Sequence, residues 1–370
     1  MRILANDGID AAGKTLLEKA GFEIITDKIA QEELIHRIGE FDVLIVRSAT
    51  KVKADIIQAS NLKLIARAGV GLDNIDLKAA GEKGITVVNT PNASSRSVAE
   101  LVFAHAFSVA RMLHLTNREM PINGQSEFKS LKNIASAGFE LQGKTMGIIG
   151  FGRIGQEVAK MAVGLGMEVV VYDYKSRTFD ITIDLHTAYK QHNFQVTLKG
   201  QPMDVVLGES DFISIHTPGS EEVINAESLS KMKKTAVLIN CARGGVVNEI
   251  ALNKALQEGQ IAFAGIDVFE NEPPTNDLIL TLPNASLSPH IGASTSEAQM
   301  RVGIELAERI INHLVKYSKN MRVFPISTLL PEKNRAQRVA SLRSGKLSAE
   351  VLQSKAQALE DSYLRVVKPQ

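Results

Sequence analysis

The chain has 370 residues, enough for two domains of ordinary size, and its 44% hydrophobic and 22% charged residues are those of a protein with packed cores. A net charge of +1 gives no global field for nucleic acid or a membrane surface, and a single cysteine, Cys241, excludes an intramolecular disulfide and fits a reducing compartment. Met1 leads straight into a strand-like run, and the longest apolar stretch, 101–110, is interrupted by His105 and too short to cross a bilayer, so the expectation is a cytoplasmic protein with no signal peptide.

Residues 1–90 alternate two kinds of pattern. Short β-rich runs lie at 2–5, 22–26, 41–47, 62–68 and 85–89, and helical patterns lie between them at 11–20, 31–38, 54–59 and 76–84. Strict alternation of this kind predicts a parallel, doubly wound sheet that stands as a domain in its own right. Residues 97–113 follow as a long, mostly buried helix with Ser97 as N-cap and Glu100 three residues on. His105, on an apolar face, reads as a satisfied core or interface histidine rather than a ligand. Residues 116–140 are polar and irregular and read as an arm or loop.

The next stretch is the most informative in the chain. An apolar run at 145–149 meets the glycine turn Gly150-Phe151-Gly152-Arg153-Ile154-Gly155, a helical pattern follows, and a second β-branched run at 169–172 ends in Asp173, eighteen residues after Gly155. This is the βαβ fingerprint of dinucleotide binding: glycines for a tight turn and close approach to a pyrophosphate, a helix N-terminus for its charge, and an acid for the ribose. Its position is unusual, since such a unit normally opens a domain and here nearly 150 residues precede it.

Nearly forty residues separate Asp173 from the next clear strand, and within them 179–184 and 194–198 read as a β-hairpin addition. Later strands are expected at 212–216, 236–240, 263–268 and 286–288, with helices at 227–232 and 248–258. Residues 294–318 read as one amphipathic helix with Met300, Ile304, Ala307, Ile311 and Leu314 on its apolar face. If that helix returns to the first domain, the nucleotide-binding half is inserted into the other, which explains the late motif. The last fifty residues are basic, with nine Lys/Arg against four acids from Arg322 on, and end in an amphipathic pattern at 349–366. Without aromatic interleaving, such a tail reads as a solvated or subunit-packing element, not as a nucleic-acid site.

Oxidation of an alcohol by a nicotinamide cofactor needs a proton acceptor, a cation for the oxygens and a group that tunes the acceptor. Three stretches supply them, each just past a strand, where open α/β sheets bind ligands: His290 in 288–292, Arg243 in 240–245, and the acids of the proline-fixed turn 267–274.

The motifs NCARGG (240–245), DVFENEPP (267–274) and SPHIG (288–292), in that order after GFGRIG, resemble those of the D-isomer-specific 2-hydroxyacid dehydrogenases. IVRSAT (45–50), ARAGVGLDNID (66–76) and NTPNASSRSVAEL (89–101) point the same way, most closely to the branch that oxidises 3-phosphoglycerate. The resemblance covers roughly residues 1–172 and 208–318. It implies a Rossmann NAD-binding domain (97–292) inserted into a flavodoxin-like substrate-binding domain (1–96 and 293–320), followed by a helical tail (321–370), with the active site between the domains. His290 is then the acid/base for the C2 hydroxyl, Glu272 fixes its tautomer, and Arg243 binds the substrate carboxylate and polarises the carbonyl oxygen. Gly69, Val70 and Gly71 correspond to the loop that holds the carboxylate, and Arg47 and Asn74 to positions on the substrate side, Arg47 as a phosphate contact. Gly150, Gly152, Arg153, Ile154 and Gly155 hold the pyrophosphate and Asp173 the ribose. Thr217 and Pro218 run along the cofactor, Asp267 lies near the nicotinamide amide, and Cys241, Ala242, Arg243, His290 and Gly292 complete the lining.

A carboxylate at 173 repels a 2′-phosphate, which favours NAD over NADP although Lys175 and Arg177 follow closely. The function expected from the resemblance is NAD-dependent oxidation of 3-phospho-D-glycerate to 3-phosphohydroxypyruvate, the first step of serine biosynthesis, by a homodimer associating through 97–140, with a small phosphorylated 2-hydroxy acid as ligand, no metal and no membrane or nucleic-acid partner. The alternatives are reduction of glyoxylate or hydroxypyruvate within the same family and, in another class, an NAD-sensing corepressor. Departures from the family are the long insertion after Asp173, the absence of tryptophan, with Phe128 in the arm where many relatives carry one, and a tail too short for the regulatory βαββαβ module of longer relatives. That tail predicts no serine feedback through such a module.

Overall fold

The computed structural model describes residues 1–175, 178–186, 190–275 and 277–317. Arg177, the basic tail and the helix expected at 349–366 lie outside them. One compact unit, Met1–Ile310, holds both parallel sheets; the second begins at Ile311 and is described as far as Tyr317.

The first sheet is built from β1 (Arg2–Ala5), β2 (Glu23–Ile25), β3 (Val43–Val46), β4 (Leu64–Arg67) and β5 (Thr86–Asn89), alternating with α1 (Ala11–Lys19), α2 (Gln31–Arg37), α3 (Ala54–Ala59) and α4 (Leu77–Glu82). Its strands are parallel in the order β2-β1-β3-β4-β5, one of the two common doubly wound orders. Strands covered on both faces read as unbroken apolar runs, and all of Val43–Val46 is buried. Two of the helices start on carboxylate caps, Asp10 accepting from the Ala12 N–H and Asp76 from the Ala79 N–H.

Next come α5 (Ser95–Ala110), α6 (Leu113–Asn123) and α7 (Phe128–Ala135). The structure corrects the expectation here twice. The helix begins at Ser95, not Ser97, and Ser97 lies inside it with its hydroxyl donating to the Gly292 carbonyl at 2.7 Å. It ends at Ala110, where Met112 takes a left-handed conformation (φ 54°), and the segment expected to be irregular forms α6 and α7. Pro121 lies inside α6, and several of the apolar residues of this region face outward, so neither breaker logic nor a core-facing stripe marks the helices.

The second sheet comprises β6 (Thr145–Ile149), β7 (Glu168–Tyr172), β10 (Phe212–Ile215), β11 (Val237–Asn240), β12 (Phe263–Ile266) and β13 (Ala285–Leu287), parallel in the order β7-β6-β10-β11-β12-β13. α8 (Arg153–Gly164) connects β6 to β7, α9 (Met203–Glu209), which the sequence reading missed, precedes β10, and α10 (Ala226–Ser230) and α11 (Glu249–Gln257) serve the later strands. The expected hairpin is present as antiparallel β8 (Thr178–His186) and β9 (Gln191–Lys199). Gly200, just after β9, makes a single parallel bridge to Val171 of β7. The hairpin thus stands where a further parallel strand would extend the sheet beyond β7.

α12 (Ser296–Tyr317) closes the described chain. Its buried apolar side chains are Ala298, Val302, Leu306, Ala307, Ile310, Ile311 and Leu314, so the expected Ala307, Ile311 and Leu314 lie on the buried face, while Met300 and Ile304 are half-buried at its margin. Glu305 accepts from the backbone N–H groups of Asn92 and Ala93, and Arg301 Nε donates to the Ala93 carbonyl at 2.8 Å, which fastens α12 to the crossing from β5 to α5. No single helix among the described residues is long and apolar enough to span a membrane; α5 and α6 pass that test only as a pair bent by 63°.

The hairpin is anchored by aromatic contact with the glycine turn: Phe151 and Phe179, both buried, lie with ring centroids 4.7 Å apart. Phe179→Ala should cost about 3 kcal/mol in equilibrium urea unfolding; a loss below about 1 kcal/mol would show that the hairpin is not packed as described.

Candidate active site

The nucleotide end is built at the point where strand order reverses, between β6 and β10. Gly150 has φ 91°, and a Cβ on it would lie 2.7 Å from the His216 carbonyl, so only glycine makes this turn. Gly152 is the N-cap of α8 without a side-chain cap, and the space a Cβ would occupy there is open. Arg153 is exposed, Ile154 packs toward the core and Gly155 is buried. Unpaired N–H groups facing open space at a helix start suit a pyrophosphate. The Asp173 carboxylate, at the end of β7, accepts from the Phe151 and Lys175 N–H groups at 3.0 and 3.1 Å, held over the glycine turn with lone pairs left for hydroxyls. Thr217 Oγ1 and His216 Nδ1 are buried without partners at the end of β10, polar atoms that a bound cofactor can satisfy. The residues present therefore fit NAD. Burial brings the His216 imidazole down to about 3 from 6.5, so it stands neutral.

Three turns at the C-terminal ends of β11, β12 and β13 carry the candidate catalytic residues. After β11, the buried Asn240 side chain accepts from the Ala242 N–H at 3.0 Å and donates to the Arg243 carbonyl at 3.0 Å, clamping the turn that presents Arg243. Cys241 and Ala242 are buried behind it, and burial pushes the Cys241 thiol up. After β12, Glu272 Oε1 accepts from the Phe269 N–H at 3.2 Å and its Oε2 lies 2.6 Å from His290 Nδ1. A carboxylate there requires Nδ1 to carry the proton and leaves Nε2 bare, the state a general base needs. His290 itself has φ 54°, unusual without a glycine. The conformation is held by Asp267, which is buried: its carbonyl accepts from the His290 N–H at 2.7 Å, and its carboxylate from the Ile291 and Gly292 N–H groups at 2.8 and 3.0 Å.

The first sheet contributes the loops after β3 and β4. Asp7 accepts from the Arg47 and Thr50 N–H groups, and the Asn74 amide donates to the Arg47 and Thr50 carbonyls at 2.8 and 2.7 Å. Asn74 thus braces the Arg47 loop. The loop Gly69–Gly71 is pinned from β5: the Thr90 N–H donates to the Gly69 carbonyl, and the Asn89 amide donates to the Val70 carbonyl. Arg243 reaches this loop. Its Nε lies 3.1 Å from Asp73 Oδ2, and a Cβ on Gly71 would fall 2.0 Å from its Nη2.

The predicted residues therefore fall into the glycine turn with Asp173, Thr217 and Pro218, the Glu272–His290 pair held by Asp267, and Arg243 against the 69–71 loop, with Arg47 on the neighbouring loop that Asn74 braces. Sequence reasoning missed Arg67, Asp73 and His216. Arg67 ends β4 with its guanidinium against Gly69 and its Nε buried without a partner. Burial and then the neighbouring Arg243 lower it to about 10. The available signal was a lone cation closing the apolar strand Leu64–Arg67.

A carboxylate-paired histidine and a cluster of arginines, on loops at the strand ends of a sheet that carries a dinucleotide turn, suit removal of a hydroxyl proton from an anionic substrate as a hydride leaves, the chemistry of an NAD-dependent 2-hydroxyacid dehydrogenase. Comparison with known proteins agrees. Residues 103–292 match the D-isomer specific 2-hydroxyacid dehydrogenase NAD-binding domain. The chain is 46% identical over 322 residues to a hydroxypyruvate reductase of Thermotoga maritima, covering 85% of this chain and 98% of that one. It is 41% identical over 321 residues to a D-3-phosphoglycerate dehydrogenase of Methanocaldococcus jannaschii, covering 84% of this chain but only 57% of the relative's length. Among solved structures, the NAD+-bound 3-phosphoglycerate dehydrogenase of Entamoeba histolytica aligns with a TM-score of 0.67 at 27% identity, covering 88% of this chain and 99% of that one. The chain belongs to the D-isomer specific 2-hydroxyacid dehydrogenase family, and it is an NAD-dependent oxidoreductase.

The neutral His216 gives a pH signature. Its folded pKa is depressed, so below about pH 6.5 the unfolded chain takes up a proton that the folded one refuses, and stability falls as pH drops toward 3. Urea midpoints measured from about pH 7 to pH 4 should fall more steeply for the natural protein than for His216→Gln. Parallel curves would contradict a neutral buried His216.

Proposed function

We propose that the enzyme interconverts 3-phospho-D-glycerate and 3-phosphohydroxypyruvate, the reaction that opens serine biosynthesis. The observation that carries this reading is the convergence of Arg47, Arg67 and Arg243 on one gap, with Asp73 as the acid paired to Arg243 there. The Arg47 guanidinium makes no hydrogen bond or ion pair among the described residues, which leaves it for a second anionic group beyond the carboxylate. Bound NAD supplies the acceptor for the C2 hydride. His290 Nε2 takes the hydroxyl proton, Glu272 stabilises the resulting imidazolium, Arg243 and the Val70 and Gly71 N–H groups hold the carboxylate, and Arg243 polarises the C2 oxygen. Asp173 supports NAD over NADP, because its carboxylate accepts hydroxyls and repels a phosphate. Reduction of hydroxypyruvate or glyoxylate is the second reading, favoured by the likeness to the Thermotoga protein along nearly its whole length.

The same reading divides the chain into a substrate-binding domain (1–96 with 293–320) and an NAD-binding domain (97–292). Separate hydrophobic clusters under the two sheets support that division. It also places the protein in the cytoplasm as a homodimer. Support for the dimer comes from Phe107, Leu113, Met120, Ile122, Phe128 and Ile134, large apolar side chains left exposed on α5–α7.

Assays with NADH and phosphohydroxypyruvate, hydroxypyruvate or glyoxylate in parallel test the substrate. Arg47→Ala should raise KM for phosphohydroxypyruvate about tenfold or more while sparing the unphosphorylated acids. An equal effect on all three would transfer the assignment to the second reading. His290→Gln should lower kcat about 10²- to 10⁴-fold with every substrate; full turnover would refute the acid–base role.

A further inference from the structure

A buried chain of hydrogen bonds leads from the middle of α5 to the turn that carries His290. His105 is 3% exposed. Its Nδ1 lies 2.9 Å from Ser286 Oγ and its Nε2 3.0 Å from Ser288 Oγ, on β13 and just beyond it. Ser288 Oγ lies 2.6 Å from Asp267 Oδ1, and Asp267 holds the N–H groups of His290, Ile291 and Gly292.

Counting donors fixes the direction of every bond. Asp267 receives two backbone N–H groups and is an acceptor, so Ser288 must spend its one proton on it. Toward His105 the Ser288 oxygen can then only accept, and Nε2 must carry the ring proton. Nδ1 is therefore bare and takes the Ser286 proton. This order needs a neutral imidazole, and burial, which lowers the His105 pKa, holds it so. The placement is also built sterically: a Cβ on Gly265 of β12 would lie 2.7 Å from the His105 Cβ, so the helix meets the sheet at this point only over a glycine. A leucine would serve packing alone without the desolvation cost of an imidazole, which points to the hydrogen bonds as the reason for a histidine.

We propose that His105 is a positioning residue for the acid–base step: it holds the Ser288 hydroxyl on Asp267, and Asp267 in turn sets the backbone of the His290 turn. The proposal rests on the acid–base role of His290. No proton passes along the chain during turnover; its work is to keep His290 Nε2 aimed at the gap.

The test compares His105→Leu, Ser288→Ala and His105→Gln, assayed with NADH and phosphohydroxypyruvate or hydroxypyruvate, whichever the natural enzyme turns over faster. His105→Leu and Ser288→Ala should each lose about 10- to 100-fold in kcat. KM for NADH should stay within about twofold, and the solvent deuterium isotope effect on kcat should rise as proton transfer becomes limiting. His105→Gln offers an N–H and a carbonyl oxygen in place of the two ring nitrogens and should recover most of the loss. The double variant His105→Leu/Ser288→Ala should be no slower than the slower single one. If His105→Leu folds poorly, Ser288→Ala decides, since it breaks the relay without touching α5. Full kcat in Ser288→Ala, or a His105→Leu loss that His105→Gln does not repair, would overturn the proposal. A fully active His290→Gln would overturn it together with the reading it rests on, whereas an inactive His290→Gln beside a full-speed Ser288→Ala would overturn the relay alone.

Discussion

Arg243 reaches out of one parallel sheet and closes on a loop of the other, and the proposed active site depends on that crossing. The guanidinium lies over Gly71 and against Asp73, while its backbone is clamped by Asn240 at the end of β11. Burial, and after it repulsion from the neighbouring Arg243, holds Arg67 below its ordinary pKa. Asp73 offsets part of that charge, and an anionic ligand in the gap offsets more. A site that is electrostatically costly when empty is biased toward binding acids, and the bias comes from which strand ends the fold brings together.

The second constraint is Asp267. One buried carboxylate receives N–H groups from two residues of the His290 turn and the hydroxyl of Ser288, while its own carbonyl holds the His290 N–H. That network explains how a non-glycine residue keeps φ 54°, and it links the turn to α5 through Ser288 and His105 and through Ser97 on Gly292. The proposed acid–base histidine, His290, is thus set by backbone geometry, and Glu272 then sets its tautomer.

Much of this was legible in the sequence. Parallel strands buried on both faces announce themselves as apolar runs, and the turns after β11, β12 and β13 carry residue types that only chemistry or chance would place there. What was not legible follows from physics that a linear pattern does not carry. α6 and α7 direct apolar side chains such as Ile122 and Phe128 outward, so their periodicity has no core to report. Ser97 has the signature of a helix cap, but its hydroxyl is used by Gly292, 195 residues away in the chain. Arg67 was hidden because a strand-end cation is ordinary until a second sheet brings Arg243 beside it. His105 was read correctly as a satisfied core histidine, but which groups satisfy it is visible only in three dimensions.

The crossing is tested most directly by Arg243→Lys, which keeps the charge but removes the planar fork that reaches Gly71 and Asp73. Steady-state kinetics with NADH and the preferred 2-oxo acid should show kcat/KM for the acid reduced about 100-fold, with KM for NADH unchanged. A lysine variant as efficient as the natural enzyme would show that the guanidinium bridge is not what assembles the site.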